Sequence, residues 1–330
     1  MGAIVIDGPA QMNAVRQPGT VFMFSGQGSQ YFHMGRALYD ANGTFRDWMN
    51  RLDDVVRQTS GQSVLAALYS EGKSKGDSFD RTSLTHPAIF MVEVALARAL
   101  MQAGVTPSLV LGVSMGSFAA AAVSGFLDVE DALRAVVHQA LALEEWAEPG
   151  GMTAVLADPA LFAKSFLSAR SELAAVNFAS HFVVTARQTE LAGIGADLRR
   201  YEVNHQQLPV TFPFHSQWID GARAPFQTFM RSIGTRPGHV PMVCSDQGTV
   251  VSQLSESYFW DVVRKPIRFR ETIAGLERQG PWRYIDVGPA GTLATFLKYG
   301  LPSGTASTVS AILTPFGTDL KNLATVSAGH

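Results

Sequence analysis

Ser114 lies at the centre of Gly112-Val113-Ser114-Met115-Gly116, between an apolar, strand-like run (Leu109-Val110-Leu111) and an Ala-rich, helix-like run over residues 117–124. A G-x-S-x-G turn between strand and helix lifts a serine hydroxyl clear of the sheet, and its glycines let neighbouring segments approach closely. The following helix aims its unsatisfied N-terminal amides at the same place, where they stabilise negative charge on a tetrahedral intermediate. That chemistry is nucleophilic attack on an acyl group. A chance match in a chain with 30 glycines is the competing reading, and the flanking strand and helix weigh against it.

A serine hydroxyl needs a base, and the chain offers eight histidines. His215, in Phe212-Pro213-Phe214-His215-Ser216, is best placed by context; a satisfied structural imidazole is the other reading. His86, in Thr85-His86-Pro87, precedes an expected helix and reads as a cap or a pocket wall. The loop Gly26-Gln27-Gly28 lacks the Lys-Ser/Thr ending of a phosphate loop, and G-x-G-x-x-G is absent. Its better use is to bring a backbone N–H close to Ser114, completing an oxyanion hole with the Met115 amide. No histidine pair has zincin spacing and one cysteine makes no thiolate cluster, so no metal is expected.

These groups need a scaffold, and the elements read as α/β. Val21-Phe22-Met23-Phe24 is a strand entering the glycine loop. Residues 45–58, 63–69 and 87–103 have helical spacing, and Asp128 caps a helix reaching about residue 148. From 152 to 210 the texture changes to strand (152–156), helix (159–168), paired strands (173–177, 182–185), helix (190–201) and strand (206–210), the βαββαβ order of a ferredoxin-like unit. The expected organisation is a lead-in (1–19), a large domain (20–148 and 209–313), the inserted subdomain (149–208) and a tail (314–330) without readable signal. A helix over 218–233 should reopen the large domain.

A formal charge of −2 leaves no basic excess for nucleic acid. The single Cys244 sits in an apolar strand, which suits a reducing, cytoplasmic setting. The uncharged stretch from 99 to 127 is broken by Gly104, Pro107, Gly112 and Gly116, so a strand and a buried helix explain it better than a membrane span. The oligomeric state is not set by the sequence; a monomer is the working expectation.

Phe24-Ser25-Gly26-Gln27-Gly28-Ser29-Gln30, Gly112-Val113-Ser114-Met115-Gly116, Val176-Asn177-Phe178, Phe214-His215-Ser216 and Asp286-Val287-Gly288-Pro289 occur in the order found in malonyl-CoA:acyl-carrier-protein transacylases and polyketide synthase acyltransferase domains. The chain resembles that family over about residues 20 to 300. The resemblance implies an α/β-hydrolase-like parallel-sheet core and an inserted ferredoxin-like subdomain. It further implies Ser114 as nucleophile, His215 as base oriented by a backbone carbonyl, and oxyanion amides from Gln27 and Met115. Val113, Phe214, His86 and Asn177 are then expected around the substrate pocket. No bound cofactor is implied; the substrate moiety is a phosphopantetheine thioester on an acyl carrier protein, or CoA.

Two positions depart from the pattern. Relatives usually carry histidine before the nucleophile, where this chain has Val113. Malonyl-specific members place an arginine for the substrate carboxylate where this chain has Gln139, and a neutral amide is a much weaker partner for a carboxylate than a guanidinium fork. Arg134 is the alternative for that part, on another face of the helix. Gln139, with Ser-His-Phe-Val-Val (180–184) and Arg264-Lys265-Pro266, is similar to discrete acyltransferase homologues of trans-acyltransferase polyketide pathways. Some of these are acyl hydrolases that clear stalled carriers. The expected function is therefore release of short, uncharged acyl groups from carrier thioesters, a proofreading hydrolase. The alternatives are an acyl-CoA:carrier S-acyltransferase for malonyl or acetyl groups, and a catalytically idle docking homologue.

Overall fold

The computed structural model describes residues 18–329; the lead-in expected before them lies outside the described residues, and Gly19 already belongs to the first strand. The larger of two sheets has the strand order β10 (Thr308–Ala311), β9 (Trp282–Asp286), β1 (Gly19–Phe24), β2 (Leu109–Gly112), β7 (Met242–Cys244), β8 (Thr249–Val251). All its neighbours run parallel except β7 and β8 at one edge. The central strands β1 and β2 are buried along nearly their whole length, which is why they read as continuous apolar runs and not as alternating ones. Helices α1 (Gly43–Ser60), α2 (Thr82–Gln102), α3 (Gly116–Ser124) and α4 (Val129–Trp146) pack together, with α2 against each of the other three.

The small sheet has the order β4 (Glu172–Phe178), β5 (His181–Arg187), β3 (Gly150–Val155), β6 (His205–Gln207), antiparallel throughout. With helical turns between β3 and β4 and α5 (Gln188–Arg200) between β5 and β6, this is the expected βαββαβ unit. It has its own core, in which Val155, Leu167, Phe182, Val184, Ile194 and Leu198 meet. The architecture is thus the α/β class read from the sequence.

Local boundaries differ for identifiable reasons. Helix α2 begins five residues before Pro87, so that proline lies inside the helix, just past the first turn whose N–H groups lack intrahelical partners, and the i→i−4 hydrogen bond is missing at its position. The last small-sheet strand ends at Gln207, two residues before Pro209, which carries no N–H to extend the ladder. The region expected as one helix from 218 is a 3-10 turn (Gln217–Ala222) followed by a helix over Arg223–Met230, because Gly221 is pressed against the Trp146 carbonyl and Pro225 enters the first α turn. A helix α6 (Asp319–Ala328) occupies the stretch without readable signal and packs beside the Arg36–Ala41 helix. Among the described residues, the one helix long and apolar enough to cross a membrane is α2, and most of it is buried inside the protein.

Candidate active site

β2 delivers the chain to Ser114, whose φ of 54° is a left-handed conformation that a non-glycine residue adopts only under local constraint. The glycines around it are there for contact. A Cβ on Gly116 would lie 2.3 Å from the Phe24 oxygen, and one on Gly112 would lie 2.5 Å from the Ser117 Cα. Gly26, at the end of β1, approaches so closely that a Cβ would meet that of Ser114 at 2.9 Å. The strand, the elbow and the glycine loop are therefore locked together by missing side chains.

The Ser114 Oγ lies 2.9 Å from the Nε2 of His215, and the Nδ1 of His215 lies 2.7 Å from the Lys265 carbonyl oxygen. A carbonyl only accepts, so Nδ1 carries the proton and Nε2 is left to accept from the serine hydroxyl. His215 also has a positive φ, 61°, and its backbone N–H donates to Val263. Burial pushes its pKa down to about 4, against the opposing pull of the Lys265 carbonyl, so the ring is neutral and able to accept a proton at neutral pH.

The backbone amides of Gln27 and Met115 meet no acceptor among the described residues, whereas the neighbouring Gly28, Gly116 and Ser117 amides are all bonded within the protein. Two unsatisfied donors beside a serine can receive an oxyanion. The Gln27 side chain is turned away, its amide donating to the Thr85 Oγ1 at 2.8 Å.

Beneath this loop lie two carboxyl groups whose part was not foreseen. Glu93 accepts from the Ser25 N–H at 2.6 Å and the Ser25 hydroxyl at 3.0 Å, and burial raises its pKa well above the usual carboxylate range. Asp286 accepts from the Gly288 and Ala294 amides, both at 2.9 Å, and burial raises it to about 6. Glu93 thus braces the start of the glycine loop, while Asp286 fixes the turn that follows β9. Glu93 was detectable in principle, as the one acidic residue of the apolar helix α2.

A cavity of about 400 Å³ opens over Ser114 and His215 between the two sheets. Gln27, Val113, Phe214 and Asn177 line it, with Met152, Leu208, Ile267 and Phe296, and among the described residues no lining side chain carries a carboxylate, ammonium or guanidinium. Gln139 and His86 do not line it, which corrects the expectation for both. The Gln139 amide nitrogen donates to the Phe259 carbonyl at 3.1 Å, which draws the side chain away from the cavity, and the residue is fully buried. Phe214 lines the cavity and packs on the His86 ring with centroids 5.5 Å apart, so His86 stands behind it. His86 is also inside α2 rather than ahead of it. Neither of its ring nitrogens, nor the Gln139 Oε1, has a partner among the described residues. Arg134 faces away, paired with Glu130 and Asp131.

Fold and site together define the class: the chain belongs to the acyl transferase domain family, whose profile matches residues 21–328. It is 46% identical over 297 residues to the polyketide biosynthesis acyltransferase homolog BaeD of Bacillus velezensis, covering 90% of this chain and 92% of that protein. It is 42% identical over 307 residues to the corresponding homolog PksD of Bacillus subtilis, covering 93% and 95%. Among solved structures, a loading acyltransferase from the avermectin modular polyketide synthase superposes with a TM-score of 0.86 at 29% identity, over 94% of this chain and 99% of that one. MCAT from Streptococcus pneumoniae shares the fold, with a TM-score of 0.78 at 24% identity over 94% of this chain and all of that one.

Proposed function

We propose that this protein is a serine acyl hydrolase that removes short, uncharged acyl groups from phosphopantetheine thioesters on acyl carrier proteins of a polyketide pathway. The observation that carries this reading is the Ser114–His215 hydrogen bond in a cavity whose lining holds no charged side chain. In the first half-reaction His215 Nε2 takes the hydroxyl proton as Ser114 Oγ attacks the thioester carbonyl, and the Gln27 and Met115 amides receive the oxyanion. The C–S bond breaks and the leaving thiolate takes the proton from His215. In the second, His215 deprotonates a water that attacks the ester, and the proton returns to Ser114 as the acid leaves.

An ionised malonyl group entering this cavity gives up its hydration and finds no cation in return, at a cost of several kcal/mol. That disfavours malonyl loading and favours acetyl and its neutral relatives. A second reading keeps the first half-reaction and passes the acyl group to a carrier thiol; similarity to an avermectin loading acyltransferase supports it. The intact Ser114–His215 pair speaks against an idle docking homologue.

The test is a panel of acyl-carrier thioesters incubated with the enzyme, with and without a second carrier, with free acid measured against transferred acyl. Free acid from acetyl-carrier, released at the same rate when an acceptor carrier is added, is expected. Acyl transfer in excess of acid would replace the hydrolase by the transferase.

A further inference from the structure

Besides His215, one imidazole among the described residues lines the cavity. His181 opens β5 at the tip of the hairpin that brings the small subdomain against the helix Thr292–Gly300 of the large one. Its ring is held on three sides. Nδ1 lies 3.0 Å from the Asn177 amide nitrogen across the turn, and the ring centroid lies 5.1 Å from that of Phe178 and 5.1 Å from that of Phe296. An amide nitrogen only donates, so Nδ1 accepts and the ring proton sits on Nε2. No other described residue accepts from that Nε2–H, the ring's one backbone contact being with His181 itself, and with the other sides occupied its edge is the one left for the cavity. The same cluster runs outward, Phe178 stacking on Tyr299 at 5.6 Å, and Tyr299 is 72% exposed.

We propose that the His181 Nε2–H donates to an amide carbonyl of the pantetheine arm, along an entry wall formed by Phe178, Phe296 and Tyr299. The inference rests on the thioester reading above. The cavity is larger than a two-carbon acyl group needs, so part of it serves the rest of the substrate. Its charge-free lining suits a neutral chain, and the pantetheine arm is neutral between thiol and phosphate, with amide carbonyls as its acceptors. An oriented donor on a mostly apolar wall is how such pockets fix a ligand's register, and aromatic faces pack well on methylene and methyl groups. Burial also lowers the His181 pKa, which keeps the ring in the form that Asn177 orients. His181 is in this reading a positioning residue for the arm.

The test compares acetyl thioesters of pantetheine, N-acetylcysteamine and 2-mercaptoethanol on wild type, His181→Phe and His181→Gln. Thiol release in the first turnover reports acylation of Ser114 whatever acceptor follows, and free acid is measured in parallel. His181→Phe keeps the ring packing and removes the N–H, so kcat/KM for acetyl-pantetheine should fall about tenfold, through KM, with less than a twofold change for the amide-free mercaptoethanol ester. His181→Gln, which keeps a donor, should recover most of the loss. The N-acetylcysteamine ester identifies the carbonyl: a penalty there assigns the amide nearer sulfur, none assigns the farther one. Should His181→Phe not fold, Asn177→Ala, which frees the ring, should show the same substrate pattern at smaller size. Equal penalties on the pantetheine and mercaptoethanol esters, or none on either, overturn the proposal. Normal thiol release without free acid sinks only the hydrolase reading, and no thiol release from wild type sinks both.

Discussion

Two fully buried imidazoles neighbour Phe214, and their surroundings are opposite. His215 has both ring nitrogens engaged, one by the Lys265 carbonyl and one by the Ser114 hydroxyl, while His86 has neither engaged among the described residues. Burial is the largest cause lowering the basicity of both, to about 4 and about 3. Burial therefore does not make a base. What separates the two is a carbonyl that fixes the tautomer and a hydroxyl within reach, so that one ring is oriented for proton transfer and the other is held neutral behind the wall.

Removing the hydroxyl breaks this contrast most severely. Ser114→Ala should lower acylation on the order of 10⁴- to 10⁶-fold, and adding His215→Ala should lose little more, because the two act as a unit. Thiol-release kinetics check this, and additive losses would mean that the pair is not coupled. Gly26→Ala places a methyl group against the Ser114 Cβ and pushes the loop from the elbow. A loss of roughly 10²-fold in kcat with the fold intact by circular dichroism is expected, the size associated with ångström misplacement of a reacting group.

The pH dependence sharpens the same comparison. Acylation requires neutral His215, and its pKa is lowered to about 4, so kcat/KM should stay flat from neutral pH down to about 5 and fall tenfold per unit only below 4. A descending limb centred near 6.5 would show an imidazole unaffected by burial. His86→Phe addresses the other ring. It replaces an unpartnered imidazole by an apolar ring of similar shape and should stabilise the fold by about 1 to 3 kcal/mol in denaturant unfolding, whereas the same exchange at His215 should remove acylation.

How far this was legible from the chain differs between the two histidines. The elbow and the glycine loop announce themselves because close backbone approach permits only glycine at Gly26, Gly112 and Gly116, a requirement written in residue types. His215 stands out by its short Phe-Pro-Phe-His context, where a structural imidazole is the other reading, and its role as base comes from the family resemblance. The placement of His86 and Gln139 could not be read, since which side of Phe214 a side chain occupies depends on how α2, α4 and the Phe259 carbonyl meet in three dimensions. The same holds for α6, a short helix held by packing beside the Arg36–Ala41 helix more than by its own periodicity. Glu93 and His181 were visible as residue types, but their partners, Ser25 and Asn177, come from the folded loop and hairpin.

The central claim is that Ser114, activated by His215, accepts neutral acyl groups in a cavity without a cation. Intact-protein mass spectrometry of the wild type after rapid mixing with acetyl-carrier or malonyl-CoA tests it most directly. The account predicts a transient acetyl adduct on Ser114 that decays as free acetate appears, and no malonyl adduct. A malonyl adduct that forms on Ser114 and persists in water would contradict it.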